Sequence, residues 1–265
     1  MKRKETARVI SQNEIAAGIM SLRLAVTFTD EMKAGQFVSL FSKDGSRLLP
    51  RPISVCETNR EEGTIRLVYR IAGTGTKEFS MLQPGDTVEV LGPQGNGFPL
   101  EECTGRRVLL IGGGIGIPPM LSCAKGFAEL PEEKRPAAVA FAAGYRSDDT
   151  YLLEELQEQA PVYVSSDDGA IGTHGTVLDA MKANNAEADV IFACGPKPML
   201  RALKAYAQEN GIDCWLSMEE RMACGVGVCL GCVTKTAETD GHSHVKNARV
   251  CCDGPVFRAE KLDLS

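Results

Sequence analysis

The chain has 265 residues, of which 43% are hydrophobic and 24% are charged, and its formal net charge at pH 7 is −6. This composition is that of a globular protein of about two domains. The acidic balance argues against a nucleic-acid duplex as partner, because phosphates require a basic face. The basic N-terminal residues are followed by no apolar segment, and no run reaches about 18 apolar residues. We therefore expect neither a signal peptide nor a spanning helix, and a cytoplasmic protein that binds other proteins or small molecules.

Residues 1–100 alternate short β-rich segments with turn residues such as Gly35, Gly63 and Gly85. Even spacing of this kind predicts an antiparallel β-barrel or sandwich. We expect strands at 19–28, 36–41, 64–71 and 87–92, and one short helix at 76–82 that ends before Pro84.

After Gly105, continuous apolar runs alternate with helical patterns. We expect strands at 108–111, 137–143, 162–165 and 190–193, helices at 120–130, 150–159 and 197–210, a further element at 177–184, and a last strand at 211–217. Buried strands that alternate with helices predict a parallel α/β sheet. The expected fold is a β-barrel plus α/β: a barrel domain (1–102), a parallel-sheet domain (103–213) and a small Cys- and Gly-rich domain (214–265).

The chain has ten cysteines, and five of them fall within its last 42 residues: Cys224, Cys229, Cys232, Cys251 and Cys252. The first three have the spacing C-x4-C-x2-C, which, with a distant fourth cysteine, is typical of plant-type [2Fe–2S] ferredoxins. Gly225, Gly227 and Gly231 allow the loop to fold back around a cluster and to direct backbone N–H groups at its sulfides. The alternative is a structural zinc site, which usually has paired C-x2-C motifs. The fourth ligand is Cys251 or Cys252, and we favour Cys251.

Residues 237–248 lie between the third and fourth cysteines and have the composition of a solvated hairpin tip. They include His242 and His244, a spacing that can bind a metal. In a polar loop such a pair is more often exposed, so we do not place it in a metal site.

A second motif, Arg51-Pro52-Ile53-Ser54, is expected to close one of the barrel strands. Arg51 can pair with a pyrophosphate through two of its guanidinium nitrogens, and the Ser54 hydroxyl can reach a flavin ring nitrogen. The sequence continues with Val68-Tyr69-Arg70 and with Gly75-Thr76, which opens the short helix and suits a phosphate. Together these segments predict a flavin site; the alternative is an ordinary strand and turn.

A glycine loop follows the first strand of the sheet and contains Gly112, Gly113, Gly114 and Gly116. It does not fit G-x-G-x-x-G, so no Rossmann fingerprint is claimed. Glycines before a helix still allow close approach to a pyrophosphate, and Cys194-Gly195-Pro196 follows a later strand at the ligand-binding edge. We predict a nicotinamide dinucleotide site. Cys194 is either a redox thiol or, more commonly, a packing residue, and Arg146 leaves NAD and NADP open.

In combination these motifs resemble the ferredoxin–NADP reductase superfamily. The segments 218–232 and 249–257 narrow the resemblance to the electron-transfer subunit of type B dihydroorotate dehydrogenase, over essentially the whole chain. By that resemblance the cluster ligands are Cys224, Cys229, Cys232 and Cys251, and the FAD-binding residues are Arg51, Pro52, Ile53, Ser54, Val68, Tyr69, Arg70, Gly75 and Thr76.

The resemblance also implies a reaction. A partner catalytic subunit oxidises dihydroorotate at its FMN, and electrons pass through the [2Fe–2S] cluster and FAD to NAD+, in pyrimidine biosynthesis. The implied assembly is a heterotetramer of two of each subunit. No residue of this chain is nominated as a general base for dihydroorotate, as expected of a subunit that does not contact the pyrimidine.

Three alternatives remain open. One is a self-contained reductase for a monooxygenase, which more often carries a longer ferredoxin module. Another is the small subunit of a sulfhydrogenase or of an NADH–ferredoxin transhydrogenase, of which the latter typically has Asp at the position of Cys224. The third is a non-catalytic zinc-binding interaction protein.

Overall fold

The computed structural model describes residues 2–240 and 244–265. Its first six strands close into an antiparallel barrel in the order β1-β2-β5-β4-β3-β6. These strands are β1 (Arg3–Ala16), β2 (Ile19–Ala25), β3 (Phe37–Phe41), β4 (Arg51–Asn59), β5 (Thr64–Arg70) and β6 (Thr87–Gln94), and a short helix, α1 (Thr74–Phe79), lies between β5 and β6. The predicted barrel is confirmed.

Apolar side chains at alternate strand positions fill the interior of the barrel, because successive side chains of a strand point to opposite faces. Leu22 and Leu24 of β2, for example, are fully buried in the same core as Leu40 and Leu67. One detail of the prediction is wrong: Arg51 begins β4, so residues 51–55 open a strand and do not close one.

A seven-stranded sheet forms the second layer, in the order β10-β9-β8-β7-β11-β12-β15. Its first six strands are parallel, and β15 (Val256–Arg258) adds antiparallel to β12. The parallel strands are β7 (Arg107–Gly113), β8 (Ala138–Tyr145), β9 (Val162–Ser166), β10 (Thr173–His174), β11 (Val190–Cys194) and β12 (Asp213–Ser217). The predicted parallel α/β sheet is confirmed.

Four helices connect these strands: α2 (Ile117–Glu129), α3 (Leu153–Gln157), α4 (Val177–Ala183) and α5 (Lys197–Asn210). Helix α2 begins earlier than predicted, with Pro118 and Pro119 in its first turn. Backbone N–H groups of a first turn have no partner within the helix, so the N–H that proline lacks is not missed there. Helix α3 is shorter than the predicted 150–159.

The C-terminal segment packs against the sheet and against the barrel. Its hairpin pairs β13 (Val233–Lys235) with β14 (Asn247–Arg249), in agreement with the hairpin expected there, although His242 lies outside the described residues. Asn96, just after β6, fixes this segment to the barrel: its backbone N–H donates to Gly254 O at 2.7 Å, and its side-chain Nδ2 donates to Val256 O at 2.8 Å. No helix within the described residues is long and apolar enough to cross a membrane.

Candidate functional site

The cysteine loop, residues 224–232, folds so that its own backbone faces the sulfurs. The N–H of Val226 lies 3.4 Å from Cys224 Sγ, and the N–H of Gly231 lies 3.4 Å from Cys229 Sγ. A third N–H, that of Cys251, lies 3.4 Å from Cys232 Sγ. Such N–H groups stabilise the negative charge that thiolates carry in a cluster.

Two glycines of this loop have left-handed backbone, with φ +65° at Gly225 and +88° at Gly227. Neither position has room for a side chain. A Cβ on Gly225 would lie 2.4 Å from Gln94 Nε2, and one on Gly227 would lie 2.5 Å from Cys252 Sγ. The loop is therefore pressed closely against the barrel on one side and against Cys252 on the other.

The donor set fits an iron–sulfur cluster. The N–H of Val226 is the main cause that lowers the pKa of Cys224 to about 6, so this side chain is largely the metal-binding thiolate at neutral pH. Burial raises the pKa of Cys251, whose proton an iron must displace. In the described part of the chain, no group of three or more His, Cys, Asp or Glu side chains lies close enough together to hold a metal ion.

Cys251 and Cys252, the two candidates for the fourth ligand, differ in their surroundings. Cys251 is fully buried and close to Cys232, whereas Cys252 is half-buried, with its sulfur 3.7 Å from that of Cys251. Lys2 Nζ lies 3.5 Å from Cys252 Sγ and donates to Cys251 O at 3.2 Å. Burial and the contact with Cys232 support Cys251 as the ligand.

Three of the predicted flavin residues, Arg51, Gly75 and Thr76, lie close together. Arg51 starts β4, and its guanidinium lies over Gly75 in α1, where a Cβ would be 2.2 Å from Arg51 Nε. Thr76 Oγ1 accepts the N–H groups of Ala72 and Gly73 at 2.9 and 3.1 Å and so holds the turn before α1. Residues distant in sequence thus form one cradle with a fixed guanidinium, which suits a pyrophosphate.

Other members of the predicted flavin set are placed differently. Ile53 and Tyr69 pack in the core of the barrel, and Tyr69 Oη accepts a hydrogen bond from Gln12 Nε2 at 2.9 Å. Burial raises the pKa of Tyr69 to about 12. Pro52 and Ser54 are half-buried, Val68 packs with residues of the sheet domain, and Arg70 is exposed. The Ile53 and Tyr69 side chains therefore stabilise the barrel core, and only the backbone of these two residues lies on the outer wall of the barrel.

The two nucleotide motifs meet at the carboxyl ends of adjacent strands. Cys194 of β11 pairs in register with Gly112 of β7. A Cβ on Gly116 would lie 2.1 Å from Cys194 O, and one on Gly113 would lie 3.2 Å from Pro196 Cδ. Around Gly114 nothing lies within 4 Å of the equivalent point. The loop is thus packed on one side and open on the other, as a site for a pyrophosphate must be.

Cys194 and Arg146, for which the sequence left two roles open, lie at the same edge of the sheet. Burial raises the pKa of Cys194 to about 12, in spite of a hydrogen bond with Ser217, which favours a packing role for this thiol over a redox role. Arg146, exposed after β8, has a neighbour that the sequence analysis missed: the N–H of Asp168 donates to Arg146 O at 3.3 Å. Asp168 is the second residue after β9, so a search for polar residues close to the carboxyl ends of the parallel strands finds it.

Comparison with known proteins first defines a class. Residues 6–98 match the oxidoreductase FAD-binding domain model, and residues 110–205 match the oxidoreductase NAD-binding domain model. A ferredoxin NADP+ reductase from Neisseria gonorrhoeae, solved with FAD and NADP, shares the fold with a TM-score of 0.65 at 19% identity, over 78% of this chain and 92% of that one. The chain is therefore a flavin- and nicotinamide-binding oxidoreductase.

The remaining matches identify the family. Residues 219–263 match the iron–sulfur cluster binding domain of dihydroorotate dehydrogenase B. The dihydroorotate dehydrogenase B (NAD(+)) electron transfer subunit of Listeria monocytogenes serovar 1/2a is 42% identical over 97% of this chain and 98% of its own length. That of Streptococcus pneumoniae is 41% identical over 100% of both. The chain belongs to the family of dihydroorotate dehydrogenase B electron transfer subunits.

Similarity to a solved structure also extends over nearly the whole chain. The NADH-dependent reduced ferredoxin–NADP oxidoreductase has a TM-score of 0.84 at 29% identity and covers 97% of this chain and 90% of that one. Barrel, sheet and C-terminal segment therefore occur together in another electron-transfer protein.

Proposed function

We propose that this chain passes electrons from the oxidation of (S)-dihydroorotate, at the FMN of a partner catalytic subunit, through a [2Fe–2S] cluster and FAD to NAD+ in pyrimidine biosynthesis. The cluster ligands in this proposal are Cys224, Cys229, Cys232 and Cys251. Nicotinamide exchanges two electrons as a hydride, a cluster carries one, and a flavin handles both, so the three groups form a converter.

One observation carries the proposal: the cysteine loop packs directly on the wall of the barrel. Gly225 O accepts a hydrogen bond from Gln94 Nε2 of β6 at 2.7 Å. The next strand of the barrel after β6 is β3, and the one after that is β4, which starts with Arg51. Thiolates held here are two strands away from the proposed flavin cradle of Arg51 and Gly75.

The chain's own residues have separate tasks in this scheme. Arg51 and the turn before α1 bind and orient the FAD pyrophosphate, and the Gly112–Gly116 and Cys194–Pro196 loops bind NAD+. No residue is assigned as an acid or base toward dihydroorotate, because that chemistry belongs to the partner.

The exposed face of the cysteine loop supports a docking partner. Val228 and Leu230 are 80% and 60% exposed, and Val226 beside them is 44% exposed. Apolar side chains grouped around a redox site are typical of a protein interface. We propose that the catalytic subunit covers them, in an assembly of two of each subunit.

The test is dihydroorotate-dependent NADH formation by the two subunits co-purified without oxygen. Cys229→Ser should abolish it, whereas Cys103→Ser, at a buried cysteine away from the loop, should retain it. Leu230→Asp should weaken co-purification and leave NADH-driven dye reduction intact. A colourless, iron-free wild type, or full activity of Cys229→Ser, would refute the proposal.

A further inference from the structure

Gln94, the last residue of β6, is an unusual buried side chain. It is fully buried, and although its Nε2 donates to Gly225 O at 2.7 Å, its Oε1 has no hydrogen-bond partner among the described residues. A buried amide oxygen without a partner costs about 1–3 kcal/mol. Gln36, another buried glutamine of the barrel domain, has both ends satisfied, by Gly95 O at 2.7 Å and by the Lys33 N–H at 2.8 Å.

The hydrogen bond that Gln94 donates is accepted by a peptide group that also contacts a cysteine sulfur. Gly225 O belongs to the peptide that joins residues 225 and 226, and the N–H of the same peptide points at Cys224 Sγ from 3.4 Å. A trans peptide directs its C=O and N–H to opposite sides. Gln94 therefore holds one side of a rigid plane whose other side faces the sulfur.

Among the described residues, the 225–226 peptide makes no other hydrogen bond than those to Gln94 and Cys224. Gly225 has φ +65° and no side chain, so its backbone can rotate more freely than that of other residues. Val226, which supplies the N–H, is 44% exposed. The Gln94 amide is the contact with the barrel that fixes this plane, and it also polarises it, because hydrogen bonds in a chain strengthen one another.

We propose that Gln94 is a positioning residue: through the 225–226 peptide it aims and strengthens the N–H···S hydrogen bond to Cys224, and so raises the reduction potential of the cluster. Hydrogen bonds to cluster sulfurs set the potential, because they stabilise the more negative reduced form. The inference rests on the proposed role of Cys224 as a cluster ligand.

The experiment compares Gln94→Met with Gln36→Met in the complete complex. The reduction potential and the EPR spectrum of the reduced cluster are measured in a mediator titration, and cluster loss is followed by its visible absorbance. Gln94→Met should shift the potential to more negative values, change the EPR spectrum and speed cluster loss about fivefold to tenfold, as expected for one lost hydrogen bond. Gln36→Met should lower the melting temperature and leave potential and spectrum as in wild type.

A second variant tests the inference if Gln94→Met does not fold. Gln94→Asn keeps a buried amide but shortens its reach by one methylene, and it should shift the potential in the same direction. A wild-type potential and spectrum in whichever of the two folds would overturn the inference. An iron-free wild type would instead refute the proposed function, so the two failures are distinguishable.

Discussion

Glu57 of β4 connects the barrel to the nucleotide-binding sheet, and its removal should destabilise the protein. Its carboxylate accepts hydrogen bonds from Arg23 Nη2 at 3.0 Å and from Lys125 Nζ of α2 at 2.7 Å. The side chains of Glu57, Arg23 and Lys125 are 17%, 24% and 34% exposed. Glu57→Gln keeps the shape and leaves two half-buried cations without a counter-ion.

The expected cost lies between two limits. Breaking a fully buried ion pair costs about 3–5 kcal/mol, and an exposed pair contributes about 1 kcal/mol or less. For these partly exposed groups we expect about 2 kcal/mol, which lowers the melting temperature of a protein of this size by about 4–8 °C.

At acidic pH, the difference in stability between Glu57→Gln and the wild-type protein should disappear. Burial raises the pKa of Glu57, but hydrogen bonds from Lys125 and Arg23 outweigh it and hold the pKa below its usual value. A carboxyl whose pKa is lowered by folding contributes its full stability above its unfolded pKa, about 4.3, and loses it as the pH falls through the folded value. The two melting curves should therefore converge at acidic pH.

Thermal melts of the FAD-loaded protein at neutral pH and at two salt concentrations measure the effect. The matched control is Glu129→Gln, which breaks the more exposed pair of Glu129 with Arg60 across the same domain boundary. That change should cost under about 1 kcal/mol and matter less at high salt. The reasoning is refuted if Glu57→Gln melts with the wild type, or if both variants lose the same stability.

Two further pairs of substitutions test the cofactor sites. Gly75→Ala places a methyl group 2.2 Å from Arg51 Nε. It should reduce the FAD content at least about tenfold, the effect of about 1.4 kcal/mol. In the control Gly73→Ala the added methyl group meets nothing within 4 Å, so FAD should be retained, and equal flavin content in the two variants would contradict this. Cys251→Ser should lose the [2Fe–2S] spectrum while Cys252→Ser keeps it, and the reverse pattern would assign the fourth ligand to Cys252.

The barrel and the sheet could be predicted because their signals are local. Strand alternation, turn glycines and apolar runs each lie within a few residues, and they gave the correct class of every layer. Strand β1 was not resolved as an element, since its sequence is rich in charged residues and two register shifts, between Val9 and Ser11 and between Glu14 and Ala16, interrupt its alternation. Helix α3 begins later than the predicted residue 150 because Leu152 before it has left-handed backbone, with φ +63°, which no local pattern of the sequence indicates.

The candidate site was predictable where it depends on spacing and not where it depends on tertiary contact. The C-x4-C-x2-C spacing is contained in one loop. Gln94 gives no local signal, because its partner Gly225 is 131 residues away in the chain. The placement of Ile53 and Tyr69 in the barrel core likewise follows from closure of the barrel, which no single strand specifies.

The most direct test of the proposed electron path is one anaerobic turnover of the assembled complex. With (S)-dihydroorotate and no NAD+, the flavin of this chain should bleach and the EPR signal of a reduced [2Fe–2S] cluster should appear, and NAD+ added afterwards should reverse both and yield NADH. If NADH bleaches the flavin but dihydroorotate with the partner leaves flavin and cluster oxidised, the pyrimidine assignment is wrong.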